Sequence, residues 1–147
     1  MLNDVNIYIY TEYHGSLAHG SGRYHYILET IYERDGKEIP VTLKRSGICE
    51  DTTKNRLELL ALVESLKHMR LPSNITVYTK SDYLSSSYSN WLNKWINNDF
   101  KSKEKQIKHA DLWRYVSEQR DIHNMQIIKA DKTEYTKVQE MELRKYG

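Results

Sequence analysis

Three consecutive segments of this chain have the residue patterns of β-strands, and they precede the first helical pattern. Residues 5–10 alternate between Val or Ile and Asn or Tyr, which is typical of a strand that is buried on one face. Residues 24–33 are rich in β-branched and aromatic side chains, and an Asp-Gly pair at 35–36 predicts a tight hairpin into residues 38–44. Because short turns join these segments, they predict an antiparallel meander at the start of the fold.

Helix and strand patterns alternate in the rest of the chain. The cluster Asp51-Thr52-Thr53 supplies N-cap residues for a leucine-rich helix, which Pro72 ends. The later predicted elements are a strand over 74–79, one or two helices from 81 to about 98, a helix from 111, a strand over 125–129 and a helix over 135–146. The order βββαβααβα predicts an α/β fold with a five-stranded mixed sheet, three antiparallel strands followed by parallel strands, flanked by helices. A chain of 147 residues with 39% apolar residues is expected to form a single domain over 1–147.

The chain lacks the sequence features of membrane and secreted proteins. No stretch approaches the roughly 20 apolar residues of a membrane span, and the first residues do not resemble a signal peptide. We therefore expect a cytoplasmic protein without a membrane partner. The single cysteine, Cys49, cannot form an internal disulfide. His14, His19 and His25 show no zinc-ligand spacing and are expected on the surface or in turns.

A basic and aromatic segment lies between residues 91 and 109. It contains five lysines and two acidic residues, so it carries a charge of +3, whereas the whole chain carries +2. Its cations and flat rings are Lys94, Lys101, Lys103, Lys105, Lys108, Trp91, Trp95 and Phe100. This mixture suits phosphate contacts and stacking on nucleic acid. The alternative interpretation is an amphipathic helix with buried aromatic residues and solvated lysines.

Five segments of the chain occur together in an order that one protein family shares. The most specific is Thr53-Lys-Asn-Arg-Leu-Glu-Leu59, which has the pattern TxNRxEL. The others are Tyr10-Thr-Glu-Tyr13 with the strand that follows it, the pair Trp91 and Trp95, the lysine-rich segment, and Asp111-Leu112-Trp113. In this combination the chain resembles the type 1 ribonuclease H family, in its form with a basic protrusion. The similarity extends over nearly the whole chain and implies the ribonuclease H-like fold.

The resemblance also implies a metal-dependent reaction. Members of the family cleave the RNA strand of an RNA/DNA hybrid with two divalent ions, Mg²⁺ or Mn²⁺, which four carboxylates hold. The first two positions hold Glu12 and Glu58, the candidate catalytic and metal-binding residues. The third position holds Lys80, the fourth holds Met141, and Asp131 stands where the family has a mobile histidine. The resemblance is therefore to a divergent member with a degenerate metal site.

Lys80 is the substitution that argues most strongly against metal binding. A positive charge about 4 Å from a divalent ion costs at most about 8 kcal/mol at an effective dielectric constant of about 20. As an alternative, the ammonium group of Lys80 is expected to pair with Glu12 and Glu58 in the place of a metal ion. Without the resemblance, Glu58 is equally well interpreted as a solvated helix residue.

The family's nucleic-acid contacts are better preserved in this chain than its catalytic positions. Thr53 and Asn55 match residues that contact a DNA phosphate and the sugar edges of the hybrid. The candidate residues for nucleic-acid binding are Thr53, Lys54, Asn55, Trp91, Lys94, Trp95, Lys101, Lys103, Lys105 and Lys108. Two changes reduce the similarity, since Tyr13 replaces a glycine that lets the hybrid approach and Ala18 replaces an asparagine.

Three hypotheses for the function follow. The first is an RNase H-like domain that binds an RNA/DNA hybrid or a similar duplex, has impaired or lost nuclease activity and needs no cofactor. The second is an active Mg²⁺- or Mn²⁺-dependent endoribonuclease, in which Glu12 and Glu58 hold metal with help from Asp82, Asp131 or Glu140. The third is a protein-interaction module on the same scaffold, which binds a protein partner through sheet tyrosines or the aromatic protrusion. The fold does not choose among them, and the charge of Lys80 favours the first.

Overall fold

The computed structural model describes residues 2–145 of the chain. Its strands are β1 (Asn3–Gly15), β2 (Gly20–Arg34), β3 (Lys37–Thr52), β4 (Ser73–Thr79), β5 (Lys101–Ser102), β6 (Lys105–Gln106) and β7 (Asn124–Lys129). Its helices are α1 (Lys54–Leu66), α2 (Asp82–Ser86), α3 (Leu92–Asn97), α4 (Ala110–Ile122) and α5 (Thr136–Arg144), and a π-helical turn (Ser87–Trp91) joins α2 to α3. This order confirms the predicted α/β fold. The small β5–β6 hairpin was not predicted, and Tyr146, the last residue of the predicted terminal helix, lies outside the described residues.

The main sheet has the strand order β3-β2-β1-β4-β7. β2 pairs antiparallel with β1 and β3, whereas β4 pairs parallel with β1 and β7. The sheet is therefore mixed, as predicted from the order of the elements. Because β1, β4 and β7 run in the same direction, their carboxyl ends lie at one edge of the sheet, which is where ligands commonly bind in sheets of parallel strands.

The helix α1 lies at the centre of one face of the sheet. Its N-cap is Thr53, whose hydroxyl oxygen accepts a hydrogen bond of 3.2 Å from the amide of Arg56. Leu59 and Leu62 are completely buried. α1 packs against β1 and β2 on one side and against α4 on another, so helix positions that a surface helix would expose are covered by protein.

The opposite face of the sheet is covered by α5. Gln139 Nε2 donates a hydrogen bond of 3.0 Å to the carbonyl of Tyr8 and lies 3.1 Å from His25 Nδ1. Near the end of the helix, the Arg23 guanidinium donates a 3.1 Å hydrogen bond to the carbonyl of Leu143, which is itself completely buried. His25 is only 2% exposed, so the prediction that it lies on the surface or in a turn is wrong.

The hairpin of β2 and β3 is longer than predicted and projects from the sheet. β1 pairs with β2 only as far as Thr30, and beyond this residue β2 pairs with β3 alone. Apolar side chains are exposed on this projection, at Ile31, Tyr32, Ile39 and Val41.

No helix within residues 2–145 is long and apolar enough to cross a lipid bilayer.

Candidate functional site

The candidate site lies at the carboxyl ends of β1 and β4. These strands pair in parallel with Tyr8 beside Tyr78, so the residues that follow this pair reach the same edge of the sheet. Glu12 lies further along β1 and is half-buried. Lys80 is the first residue after β4, and Ser81 beside it caps α2 through its side-chain oxygen. The fold thus brings a carboxylate and an ammonium group to one edge of the sheet.

Glu58 lies near the start of α1 and is buried, with 5% of its surface exposed. Burial raises the pKa of the Glu58 carboxyl, and the nearby side chains of Ser81 and Lys54 offset part of this effect. The Lys54 ammonium lies 3.7 Å from the Glu58 carboxylate, one helical turn away. The alternative interpretation of Glu58 as a solvated helix residue is therefore wrong.

Lys80 is exposed and forms no ion pair within residues 2–145. The expected pairing of Lys80 with Glu12 and Glu58 is therefore not formed. Asp82, the candidate helper for a metal ion, contacts Lys129 instead, with 2.9 Å between the ammonium nitrogen and a carboxylate oxygen. Lys129 was not among the predicted site residues. Its position at the end of a predicted parallel strand is the sequence signal that could have identified it.

The fourth ligand position implied by the resemblance lies on α5, where Met141 is 55% exposed. Its neighbour Glu142 forms an ion pair with a lysine in the next turn. Burial raises the pKa of Tyr10 on β1, and the charges of Glu140, the other neighbour of Met141, and of Glu12 add to this effect. Met141 itself cannot bind a hard cation.

The side chains at this edge do not fit a divalent metal site. Within residues 2–145, no three His, Cys, Asp or Glu side chains are grouped so that they could hold a metal ion. Glu58 and Asp82 each contact a lysine, and Asp131 is exposed in the loop after β7. Mg²⁺ and Mn²⁺ require several oxygen ligands in near-octahedral geometry, and this donor set does not supply them. The assignment of Glu12 and Glu58 as metal ligands stays a prediction.

A cleft of about 490 Å³ opens beside Glu12, where the end of β1, the start of β2 and the end of β3 meet the end of α5. Arg23 and Arg144 line it, together with Glu12 and Glu50. Glu12 therefore shares its surroundings with arginines, unlike a carboxylate in an acidic cage that attracts divalent cations.

The predicted nucleic-acid-binding residues form two groups. At the start of α1, the N-cap residue Thr53 is half-buried, whereas Lys54 and Asn55 are exposed. The second group belongs to residues 91–109, here called the basic protrusion, which contains α3 and the β5–β6 hairpin. Lysines 101, 103, 105 and 108 of the basic protrusion are all exposed.

The aromatic residues of the basic protrusion differ in their exposure. Trp91 is 50% exposed, and Lys94 Nζ lies 4.8 Å from the centre of its ring. Trp95 is half-buried, with its ring centre 5.5 Å from that of Trp113, and Phe100 is buried. The interpretation of buried aromatic residues and solvated lysines therefore holds for Phe100 and partly for Trp95, while Trp91 presents its ring to solvent.

Side-chain contacts join α1 to the base of the basic protrusion. The Arg56 guanidinium donates hydrogen bonds of 3.2 and 2.7 Å to the Asp111 carboxylate and lies 3.3 Å from His109 Nδ1. The indole N–H of Trp113 donates a 2.8 Å hydrogen bond to the hydroxyl of Tyr83. No sequence pattern predicts these pairings, although Arg56 and Asp111 each belong to one of the family-like motifs. These contacts fix the position of one predicted binding group relative to the other.

Comparisons with known proteins agree with this architecture. A family model of RNase H matches residues 4–143. Ribonuclease H of Caldicellulosiruptor saccharolyticus is 39% identical over 125 residues, which cover 84% of this chain and 81% of that protein. Ribonuclease H of Acetivibrio thermocellus is 35% identical over 123 residues, which cover 82% of this chain and 78% of that protein.

Solved structures of low sequence identity share the fold. LC9-RNase H1, described as a type 1 RNase H with the type 2 active-site motif, has a TM-score of 0.78 and 18% identity, and the match covers 99% of this chain and 71% of that chain. The foamy viral protease-reverse transcriptase in complex with an RNA/DNA hybrid has a TM-score of 0.74 and 18% identity, with 96% of this chain and 19% of that chain covered.

The mixed sheet with α1 on one face and α5 on the other defines an α/β protein of the ribonuclease H fold. The family model matches residues 4–143, and two relatives are more than 30% identical to the chain. The chain therefore belongs to the RNase H family. The resemblance to the type 1 ribonuclease H family found in the sequence is thereby confirmed.

Proposed function

We propose that this protein is an RNase H-like domain that binds an RNA/DNA hybrid or a similar duplex and has impaired or lost nuclease activity. The observation that carries the proposal is the arrangement of charged groups at the carboxyl ends of β1 and β4. Lys80 and Met141 stand at two of the four ligand positions, and no group of three potential ligands forms within residues 2–145. The charge of Lys80 alone opposes a divalent ion by several kcal/mol at contact distance.

The surface supports binding of a nucleic acid. The exposed lysines of the basic protrusion supply contacts for phosphates, and the half-exposed ring of Trp91 offers a stacking surface. Lys54 and Asn55 lie exposed at the start of α1, which the Arg56–Asp111 contact ties to the protrusion. A duplex that touches both groups is held at two separated points on its backbone, which favours recognition of shape over sequence.

Two solved relatives of the fold support the choice of ligand. The foamy viral protease-reverse transcriptase and LC11-RNase H1 were both determined in complex with an RNA/DNA hybrid. We extend this ligand to the present chain as part of the proposal, because the candidate contacts Thr53, Lys54 and Asn55 are retained in its most specific motif.

Cleavage of a labelled RNA/DNA hybrid, measured separately in Mg²⁺ and in Mn²⁺, tests the proposed loss of activity. We expect the folded protein to show no cleavage, or cleavage far below that of a related ribonuclease H assayed in parallel. Glu58→Gln is the control for a contaminating nuclease, because it removes a carboxylate that any activity of this chain would need. Cleavage by the wild type that Glu58→Gln abolishes would show a working enzyme with rearranged ligands.

Binding of the same hybrid over a salt series tests the other part of the proposal. Neutralising Lys101, Lys103, Lys105 and Lys108 together is expected to weaken binding and to reduce the slope of log K against log salt by roughly 3 to 4, since each phosphate contact contributes about 0.9. No measurable binding of the hybrid, even at low salt, would contradict the proposal and favour a protein-interaction module instead.

A further inference from the structure

We infer that Lys80 gives this protein a metal-independent binding point for a backbone phosphate at the carboxyl ends of β1 and β4. The inference rests on the proposed function, because it states how that same site holds a nucleic acid. In place of the divalent ions that the family resemblance implies, the chain uses one of its own ammonium groups.

Three lysines surround this edge of the sheet. Lys80 follows β4 directly, and Lys129 ends the adjacent strand β7, where it is the register partner of Thr79. The amide of Ala130 donates a 2.8 Å hydrogen bond to the carbonyl of Thr79, which holds the two strand ends together. Lys54 approaches from the first turn of α1. The edge therefore carries three lysine ammonium groups beside the carboxylates of Glu12, Glu58 and Asp82.

Two of these three ammonium groups already have a carboxylate partner. Lys54 lies 3.7 Å from Glu58, and Lys129 lies 2.9 Å from Asp82. Lys80 is exposed, and within residues 2–145 it has no carboxylate within ion-pair distance. The positive charge of Lys80 is consequently available to an anion from outside the protein.

A phosphodiester group is the anion that matches this arrangement. A lysine ammonium is a compact charge with three rotatable donors, and it binds a single phosphate oxygen without requiring fixed geometry. A duplex carries phosphates at regular intervals, so one molecule can contact Lys80, the start of α1 and the basic protrusion at the same time. Contacts of this kind position the nucleic acid and do not read its sequence.

The test is the affinity for a labelled RNA/DNA hybrid, measured over a salt series with excess EDTA and again with Mg²⁺. We expect the wild type to bind in EDTA at least as tightly as in Mg²⁺, because Mg²⁺ competes with lysine ammonium groups for the phosphates. Lys80→Ala is expected to bind roughly tenfold more weakly and to lower the slope of log K against log salt by about 0.9, whereas Lys80→Arg retains most of the affinity. The matched control is Lys37→Ala, at the far tip of the β2–β3 hairpin, which should change neither quantity.

The outcomes separate this inference from the proposed function. If the wild type binds only with Mg²⁺, or if Lys80→Ala binds with unchanged affinity and slope, the inference is wrong while the proposed function stands. If the wild type does not bind the hybrid in either condition, the proposed function is wrong, and the inference is wrong with it. Circular dichroism spectra that match the wild type establish that the variants are folded.

Discussion

The side chains of Lys80 and Glu58 belong to one edge of the sheet but have different surroundings. Lys80 is exposed to solvent, whereas Glu58 is buried with Lys54 as its ion-pair partner. Water stabilises the charge of an exposed ammonium group, while burial disfavours the charged form of a carboxyl group. Replacing Lys80 is therefore expected to change which ions the site binds, whereas replacing Glu58 is expected to change the stability of the fold.

Replacing Lys80 with aspartate is expected to increase the affinity for Mg²⁺ or Mn²⁺. The change removes a repelling charge and adds an oxygen ligand at the edge that carries Glu12 and Glu58, so we expect a gain of at least about tenfold, equivalent to about 1.4 kcal/mol. Isothermal titration of the wild type and of Lys80→Asp measures it, with Lys37→Asp as the control for added negative charge. Equal affinities would mean that Lys80 does not face the site.

Replacing Glu58 with glutamine is expected to change how stability depends on pH. The raised pKa of Glu58 means that its stabilising contribution is present below about pH 4.5, the ordinary value for this group, and is lost as the pH rises through the raised pKa. Glu58→Gln has no such loss, so its stability relative to the wild type should increase from about pH 4 to about pH 7. Urea unfolding at both pH values measures this difference, with Glu33→Gln on the exposed hairpin as the control.

A constant difference between Glu58→Gln and the wild type across this pH range would contradict the prediction. It would mean that Lys54 and Ser81 compensate fully for the burial of the carboxyl group. The sequence alone could not establish this environment, since Lys54, Glu58, Ala61 and Ser65 follow a spacing that equally suits a solvated helix face. Ala61 and Ser65 are in fact completely buried, because the sheet and α4 enclose α1 from two sides.

Among the elements, α1 has the clearest dependence on a single capping group. The hydroxyl oxygen of Thr53 accepts a hydrogen bond from the amide of Arg56, one of the amides at a helix start that have no partner within the helix. Thr53→Ala is expected to destabilise the protein by about 1 kcal/mol, while Thr53→Ser retains the cap and most of the stability. Urea unfolding of both variants is the measurement, and equal stability of Thr53→Ala and Thr53→Ser would show that the cap contributes nothing.

Two hairpin turns show how far the sequence predicts local structure. The β2–β3 turn was predicted, because Asp35-Gly36 is a preferred pair for a turn with positive φ, and its φ values are 53° and 77°. The β5–β6 turn was missed, since Lys103 and Glu104 are unusual residues for φ values of 51° and 68°. The turn is closed instead by backbone pairing, Lys101 with Gln106 and Ser102 with Lys105, and by the hydrogen bond from the Ile107 amide to the Phe100 carbonyl. Backbone pairing can form with many different side chains, so it leaves no clear pattern in the local sequence.

For the molecule as a whole, buried histidines are expected to make stability sensitive to acid. Burial lowers the pKa of His25, His109 and His123, and nearby cations contribute for His109. A lowered histidine pKa gives stability that is present above about pH 6.5 and is lost as the pH falls through the lowered value. We therefore expect the urea midpoint to fall from about pH 7.5 to about pH 5.5.

The control for this prediction is His14→Gln, because His14 is an exposed residue of β1. This variant should show the same fall in the urea midpoint as the wild type. His25→Gln should show a smaller fall, even if its stability is lower at every pH. A wild-type midpoint that does not change over this range would overturn the prediction. The burial of His25 was not visible in the sequence, because it depends on α5 crossing the sheet far from this residue along the chain.

The arrangement of the whole sheet was more predictable than the environment of any one side chain. Three strand patterns before the first helix, followed by alternating helices and strands, leave few arrangements with short connections, and the observed order is one of them. The charge pairing at the site could not be predicted in the same way. Lys54 contacts Glu58, and Lys129 contacts Asp82. These contacts depend on where the side chains point once the fold has formed, and a sequence pattern does not contain that information.

The central position of β1 also has a consequence for how the protein is made. β1 pairs with β2 across a short turn, whereas its other neighbour, β4, lies 70 residues further along the chain at the paired residues Asp4 and Asn74. Closing the larger loop costs more entropy, so the meander is expected to assemble first, as the chain leaves the ribosome. Until β4 arrives, the strand that ends up in the middle of the sheet is an edge strand. In that interval a nascent chain is most open to pairing with a neighbour, and fast docking of β4 protects it from aggregation.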